Sequence, residues 1–254
     1  MLCKKIHSSE PCYTTSENMT EKTKINAKSI AFIAIFAALY TVLGYIPLFY
    51  IFGAYGQFMT ASLVIAPIIG IILGPVGGAI SVAIGGLVGM ALTGNAPMSI
   101  FTFLPGTLDA LCIGLAFRGK RYISGAIFAT FIIAFAALPN IGSARYFVWF
   151  DALALFLLLS PATTIATEYI KSFNPQKLVM GIGIFAFIGV LVDHIVGSFI
   201  YQSAIATLPP SVWEAVAFIY PVERLLVTIV AAIVGAAIVR GVRTTGLTIG
   251  EAIV

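Results

Sequence analysis

The stretch Leu73-Gly74-Pro75-Val76-Gly77-Gly78, set inside the uncharged run from Met59 to Thr93, decides how the chain is read. Two apolar segments meet there, each about 15 to 18 residues long, and at 1.5 Å rise per residue each spans roughly 22 to 27 Å, close to the thickness of a hydrocarbon core of about 30 Å. Gly-Pro supplies the chain reversal between them, since proline cannot continue a helical ladder and glycine tolerates backbone angles closed to other residues. The reading is a helical hairpin inside a membrane. Gly70, Gly74, Gly77, Gly78, Ala79, Ser81, Gly85, Gly86 and Gly89 then let backbones approach closely, which is how helices associate where lipid removes the hydrophobic pull.

Composition agrees with that class. Of 254 residues, 60% are hydrophobic and 9% charged, against about 25% charged in soluble domains. The first apolar run begins near Ile30 and is too long for a signal-peptide core, so no leader is expected. Cys3, Cys12 and Cys112 have neither metal-ligand spacing nor a disulfide framework. Residues 1–26 are polar and aperiodic and read as a disordered cytosolic tail, in which Met19 offers a second conventional start; residues 27–241 read as the membrane domain and 242–254 as a short cytosolic tail.

Beyond the hairpin, helical segments are expected at about Ala27 to Leu48, Met98 to Phe117, Arg121 to Leu138, Phe147 to Ile170 with a kink at Pro161, Leu178 to Tyr201, and Pro221 to Arg240. With the hairpin this makes an all-α polytopic bundle of about eight transmembrane helices. Tyr45 to Gln57 is an aromatic connection; Ser211 to Ile219 looks interfacial; Glu168 and Lys171 are spaced for a surface ion pair; Glu223 falls in the first turn of the last helix. If the amino terminus is cytosolic, eight crossings place twelve of the 14 basic residues inside, leaving only Arg145 and Arg224 elsewhere. Both termini are then cytosolic, and the net charge of +4 reflects topology in the cell membrane, implying no nucleic-acid partner.

Ionisable residues within these segments need partners, water or a purpose, because each costs about 2.5 to 3.5 kcal/mol at the membrane centre. Asp109 lies near mid-membrane, and Asp151, Asp193, His194, Glu223 and Arg224 lie in the outer half. His194, Ser198 and Tyr201 share a helical face, with Asp193 pointing about 100° away. Trp149, Tyr146, Trp213 and Tyr220 occupy the same level. An outward-opening pocket could hold the set, with Asp109, Asp151, Asp193, His194, Tyr201, Glu223, Arg224 and Trp149 as candidate substrate-binding residues. Interfacial aromatic belts and satisfied buried acids are the structural alternative. Because carboxylates outnumber guanidiniums, the expected ligand is a neutral or cationic ring compound, with a small organic anion competing through Arg224.

The alanine seam of the first helix (Ala31, Ala34, Ala38), the aromatic outer loop, the run Ile65-Ala66-Pro67-Ile68-Ile69-Gly70-Ile71-Ile72-Leu73-Gly74-Pro75-Val76-Gly77-Gly78-Ala79 and the helix entered through Phe103-Leu104-Pro105-Gly106 resemble the substrate-binding S components of energy-coupling factor (ECF) transporters. The resemblance covers about residues 27 to 121. It implies a six-helix core, here with an extra pair, that captures a vitamin or related micronutrient at its outer side and delivers it with a transmembrane coupling protein and ABC ATPases. It further implies that Ala34 and Ala38, with Ala31 on the same seam, face the coupling protein. The metal-transporting branch carries a histidine directly after the initiator methionine, and Leu2 stands there instead, so no metal is expected. No Walker lysine loop, His-Glu-x-x-His or Gly-x-Ser-x-Gly occurs, which favours a non-enzymatic role without a cofactor. A proton-coupled secondary transporter, using the buried acids as relays, and a membrane-embedded enzyme are the two rivals.

Overall fold

The computed structural model describes residues 27–51 and 56–245. The expected tails, residues 1–26 and most of 242–254, lie outside them. The regular structure of the described residues is helical apart from one short two-stranded ribbon. Helix α1 spans Ala27–Leu43; β1 (Pro47–Tyr50) and β2 (Phe58–Thr60) pair antiparallel; α2 spans Ser62–Thr93, α3 Leu104–Phe117, α4 Arg121–Ala136, α5 Trp149–Leu159, α6 Ala162–Lys171, α7 Pro175–Ile200, α8 Pro210–Val216 and α9 Ile219–Thr244. Among the described residues five stretches are long and apolar enough to cross a membrane: Ser62–Thr93, Ser99–Phe117, Pro139–Leu159, Pro175–Ile205 and Ile219–Thr244. Ala27–Leu43 and Arg121–Ala136 are shorter apolar helices.

Helix α2 is two arms. At Gly74 the backbone takes φ 77° and ψ −178°, a region essentially closed to residues with a Cβ. The arms fold back sharply enough that a methyl group built on Gly78 would lie 2.9 Å from Gly70 Cα. Ser62 to Pro75 is buried without interruption, so the first arm is the centre of the protein. Glycine sets its neighbours' distances as well. A methyl on Gly70 would overlap the Ala110 carbonyl, and one on Gly114 would lie 2.5 Å from Pro75 N, so α3 rests backbone to backbone on both arms. Helix α1 packs on the second arm through hydroxyl groups: Thr41 Oγ1 lies 2.9 Å from Gly85 O, and Ser81 Oγ donates to Ile33 O at 3.0 Å. Such bonds replace water as partner for polar groups held in an apolar interior.

Several sequence expectations change in detail. The aromatic connection after α1 is the β-ribbon, which shortens the first helix to Leu43. The Phe147 to Ile170 segment breaks at Ser160, whose ψ of 167° is extended, because the residue before Pro161 is pushed out of the helical region. Helix α9 starts at Ile219 and runs to Thr244, so Glu223 lies beyond its first turn. Among the described residues Glu168 and Lys171 form no ion pair within 4 Å. Instead Arg243 ties the end of α9 to α6, donating to the carbonyls of Ser172 at 3.0 Å and of Ile170.

Candidate functional site

At the end of the bundle where α1, the second arm of α2 and α7 finish and α9 begins, the elements enclose a cavity of ≈ 140 Å³. Since one water needs roughly 10 to 15 Å³ measured the same way, the space suits a small organic molecule. Its walls come from several elements and from the segment that joins α2 to α3. Tyr40 and Gly44 close the end of α1, the β-ribbon contributes Phe58, Met59 and Thr60, and Gly85, Gly86 and Gly89 flatten one face of α2. Helix α7 contributes Asp193, His194, Gly197, Ser198 and Tyr201, while Trp213, Tyr220 and Arg224 come from α8 and α9.

Hydrogen bonds fix the ribbon over this space. Gly94, with φ 68°, ends the second arm in a left-handed turn, which presents Asn95 to the ribbon. Asn95 Nδ2 donates to Phe58 O at 2.8 Å and its Oδ1 accepts from Phe58 N at 3.2 Å, mimicking a third strand; Ala96 N donates to Gln57 Oε1 at 2.9 Å.

The opposite wall is organised by Gln202, buried in a single π-helical turn that ends α7. Its Oε1 accepts from Trp213 Nε1 at 3.0 Å and from Leu208 N at 3.0 Å, and its Nε2 donates to Leu208 O at 3.1 Å. Each polar atom is satisfied, so the loop after α7 is pinned and the Trp213 indole is held at the cavity. Trp213, Phe135, Phe147, Tyr220 and His194 form one aromatic cluster with ring centroids about 5 to 6 Å apart, mostly edge to face.

The candidate residues fall into three groups. Asp193, His194, Tyr201 and Arg224 line the cavity. Asp193 does so although it neighbours His194, because the cavity wraps around both faces of α7's last turns. Asp151 stands behind the wall, its Oδ1 bonded to His194 Nδ1 at 3.0 Å, which leaves His194 Nε2 buried and without a protein partner. Glu223, Trp149 and Asp109 do not line it. Glu223 leaves α9 in a different direction from Arg224. Trp149 is 42% exposed and donates from Nε1 to Ala217 O at 3.3 Å, so the tryptophan of the site is Trp213. Asp109 is wholly buried in a notch on α7, against the backbone of Gly189, and neither carboxylate oxygen has a hydrogen-bond partner. The residue not anticipated from sequence is Gln202; only a buried-polar side chain directly after an apolar helix and ahead of Leu208-Pro209-Pro210 could have signalled it. On α1, Ala31, Ala34 and Ala38 are exposed, together with Ile30, Ile35 and Val42, while Ser29, Phe36, Ala37 and Thr41 face inward.

No protein-family model and no solved structure matches the chain. It is similar to "Uncharacterized protein MJ0923" of Methanocaldococcus jannaschii, with 29% identity over 134 residues, which cover 52% of this chain and 44% of that relative.

Proposed function

We propose that the chain is the substrate-capturing membrane subunit of an ECF-type ABC importer for a vitamin or similar micronutrient. The cavity between α1, α2, α7, α8 and α9 is the observation that carries this reading: it is lined by aromatic rings and a few convergent polar groups, the composition expected of a small-molecule site. The exposed alanine seam of α1 is the surface for a transmembrane coupling protein, which in turn joins the ABC ATPases. The chain itself performs no chemistry. It sits in the cell membrane with eight crossings and both termini cytosolic.

Two measurements test this. Ala38→Trp places a bulky side chain on the seam and forfeits dispersion contacts along it; small-molecule binding by the isolated protein should persist while copurification with the coupling protein and ATPases is lost. Survival of assembly would move the seam elsewhere. Single cysteines at the exposed positions Ser143 and Thr207 should react with an impermeant thiol reagent outside intact cells, and one at Phe173, 94% exposed, should not. Uptake into proteoliposomes driven by a pH gradient without any ATPase would replace the importer by the secondary transporter.

The Asp151–His194 pair favours a membrane-embedded enzyme as the second reading, because a carboxylate orients an imidazole in this way for general-base work. His194 Nε2 makes no hydrogen bond to a hydroxyl, so no nucleophile is in place. Hydrolysis of an ester reporter by the purified protein, lost in His194→Ala, would promote this reading over transport.

A further inference from the structure

Arg224 is 1% exposed, the bulkiest fully buried side chain among the described residues, and stands in the cavity wall. Its Nε and Nη1 have no hydrogen-bond partner, and among the described residues no carboxylate comes within 4 Å of it. Its nearest favourable contact is the Tyr220 ring, 5.7 Å from Cζ to centroid. Desolvating a guanidinium costs several kcal/mol, and a cation–π contact offsets only about 2 kcal/mol of that. A buried charge in this position calls for an anion.

Among the described residues none pairs with Arg224. Asp151 is committed to His194 Nδ1, Glu223 is outside the lining, and Asp109 is beneath Gly189. Asp193 and Glu223 lie within electrostatic reach of Arg224 without an ion pair to it. The lining therefore holds one carboxylate and one guanidinium beside an imidazole, and the excess of acids counted along the sequence does not reach the site. A single guanidinium with Asp193 nearby also matches one negative charge better than the two of a phosphate. In the same lining Trp213, Tyr201 and Tyr220 offer aromatic surface, and Gly85, Gly86 and Gly89 add backbone without side chains.

We propose that the ligand of this cavity is a monocarboxylate on a flat ring, its carboxylate seated against the Arg224 guanidinium and its ring along the Trp213 and Tyr220 wall. This class of substrate rests on reading the cavity as the capture site of an importer. Charge-assisted hydrogen bonds from Arg224 to the carboxylate then supply the partners that the protein withholds.

The full-length purified protein, presented with an equimolar mixture of benzoate and naphthalene-2-carboxylate together with the amide and the aminomethyl analogue of each ring, should retain a carboxylate at least tenfold over its amide and amine by native mass spectrometry. Arg224→Gln should abolish that retention, and Asp193→Asn, which removes the one carboxylate of the lining, should tighten it. If Arg224→Gln does not fold, Arg224→Lys serves: it keeps the charge on a shorter reach and should weaken retention about tenfold at an unchanged Tm. Preference for an amide or amine, carboxylate retention indifferent to Arg224, or no retention of any member overturns the proposal. The importer reading falls separately, on the Ala38→Trp copurification.

Discussion

Glycine serves opposite purposes at the two ends of this bundle. Around the first arm of α2 it brings backbones into contact: Gly70 against Ala110, Gly114 against Pro75, Gly78 against Gly70, with no room for even a methyl group. Around the cavity two glycines have looser surroundings. The nearest atoms to a methyl built on Gly197 are those of Met98 at 3.6 Å, and on Gly89 those of Thr41 at 3.7 Å, ordinary contact distances, whereas Gly85 and Gly86 in the same lining are packed tightly on Ala37 and Phe103. The same residue type thus marks adhesion in one place and a binding volume in the other, and only the facing element tells which.

That contrast can be broken experimentally, beginning with the largest effect. Gly70→Val should prevent the α2 hairpin from closing on α3, and because the obstacle is backbone rather than a movable side chain, the loss should exceed the usual 1 to 3 kcal/mol of overpacking. Folded protein in detergent, followed by size-exclusion chromatography, should disappear; a Tm near wild type would remove the hairpin contact from its central role. Gly197→Leu should leave that Tm within a few degrees while lowering small-molecule affinity tenfold or more, since its side chain fills the cavity.

Smaller effects belong to the groups that position the wall. Gln202→Ala strands the Trp213 indole N–H and the Leu208 backbone groups, at about 1 to 3 kcal/mol for buried polar atoms left unpaired. Near-ultraviolet circular dichroism should show Trp213 losing its fixed environment, and ligand affinity should fall with it. Asn95→Ala removes only the two bonds to Phe58, at about 1 kcal/mol each. The expected signature is faster amide exchange at Phe58 and Gln57 with the rest of the bundle unchanged, and uniform protection in the variant would show the ribbon held by something else.

The hairpin, its Gly-Pro bend and the small-residue packing were legible in sequence because they depend on local backbone chemistry and on uninterrupted apolarity. Level along the bundle was legible in part: Asp193, His194 and Tyr201 on one helix and Arg224 on another, placed together by residue count, do share one cavity. Direction around the helix axis was not. Glu223 and Arg224 are consecutive yet only one reaches the lining, and Trp149 and Trp213 occupy similar levels while only the second is turned inward, by a Gln202 clasp formed across a non-helical loop. Counting acids gave a net acidic pocket; Asp109 and Asp151 are in fact spent inside the walls, against α7's glycine notch and on His194. Such outcomes depend on tertiary contacts that no periodicity encodes.

The brevity of two helices bears on the lipid as much as on the protein. Among the described residues helices α1 and α4 have 17 and 16 residues, roughly 25 and 24 Å at 1.5 Å per residue, against a hydrocarbon thickness of about 30 Å. Tilting shortens a helix's span still further and so cannot close that gap. The annulus of acyl chains along this flank must compress instead, at a modest elastic cost per ångström of mismatch. Helices of unequal length then ask different things of one bilayer: α7 and α9, with 26 residues each, suit its ordinary depth, while a lipid-facing α1 would draw it into a local dimple, a deformation that two proteins bearing such helices would share by coming together.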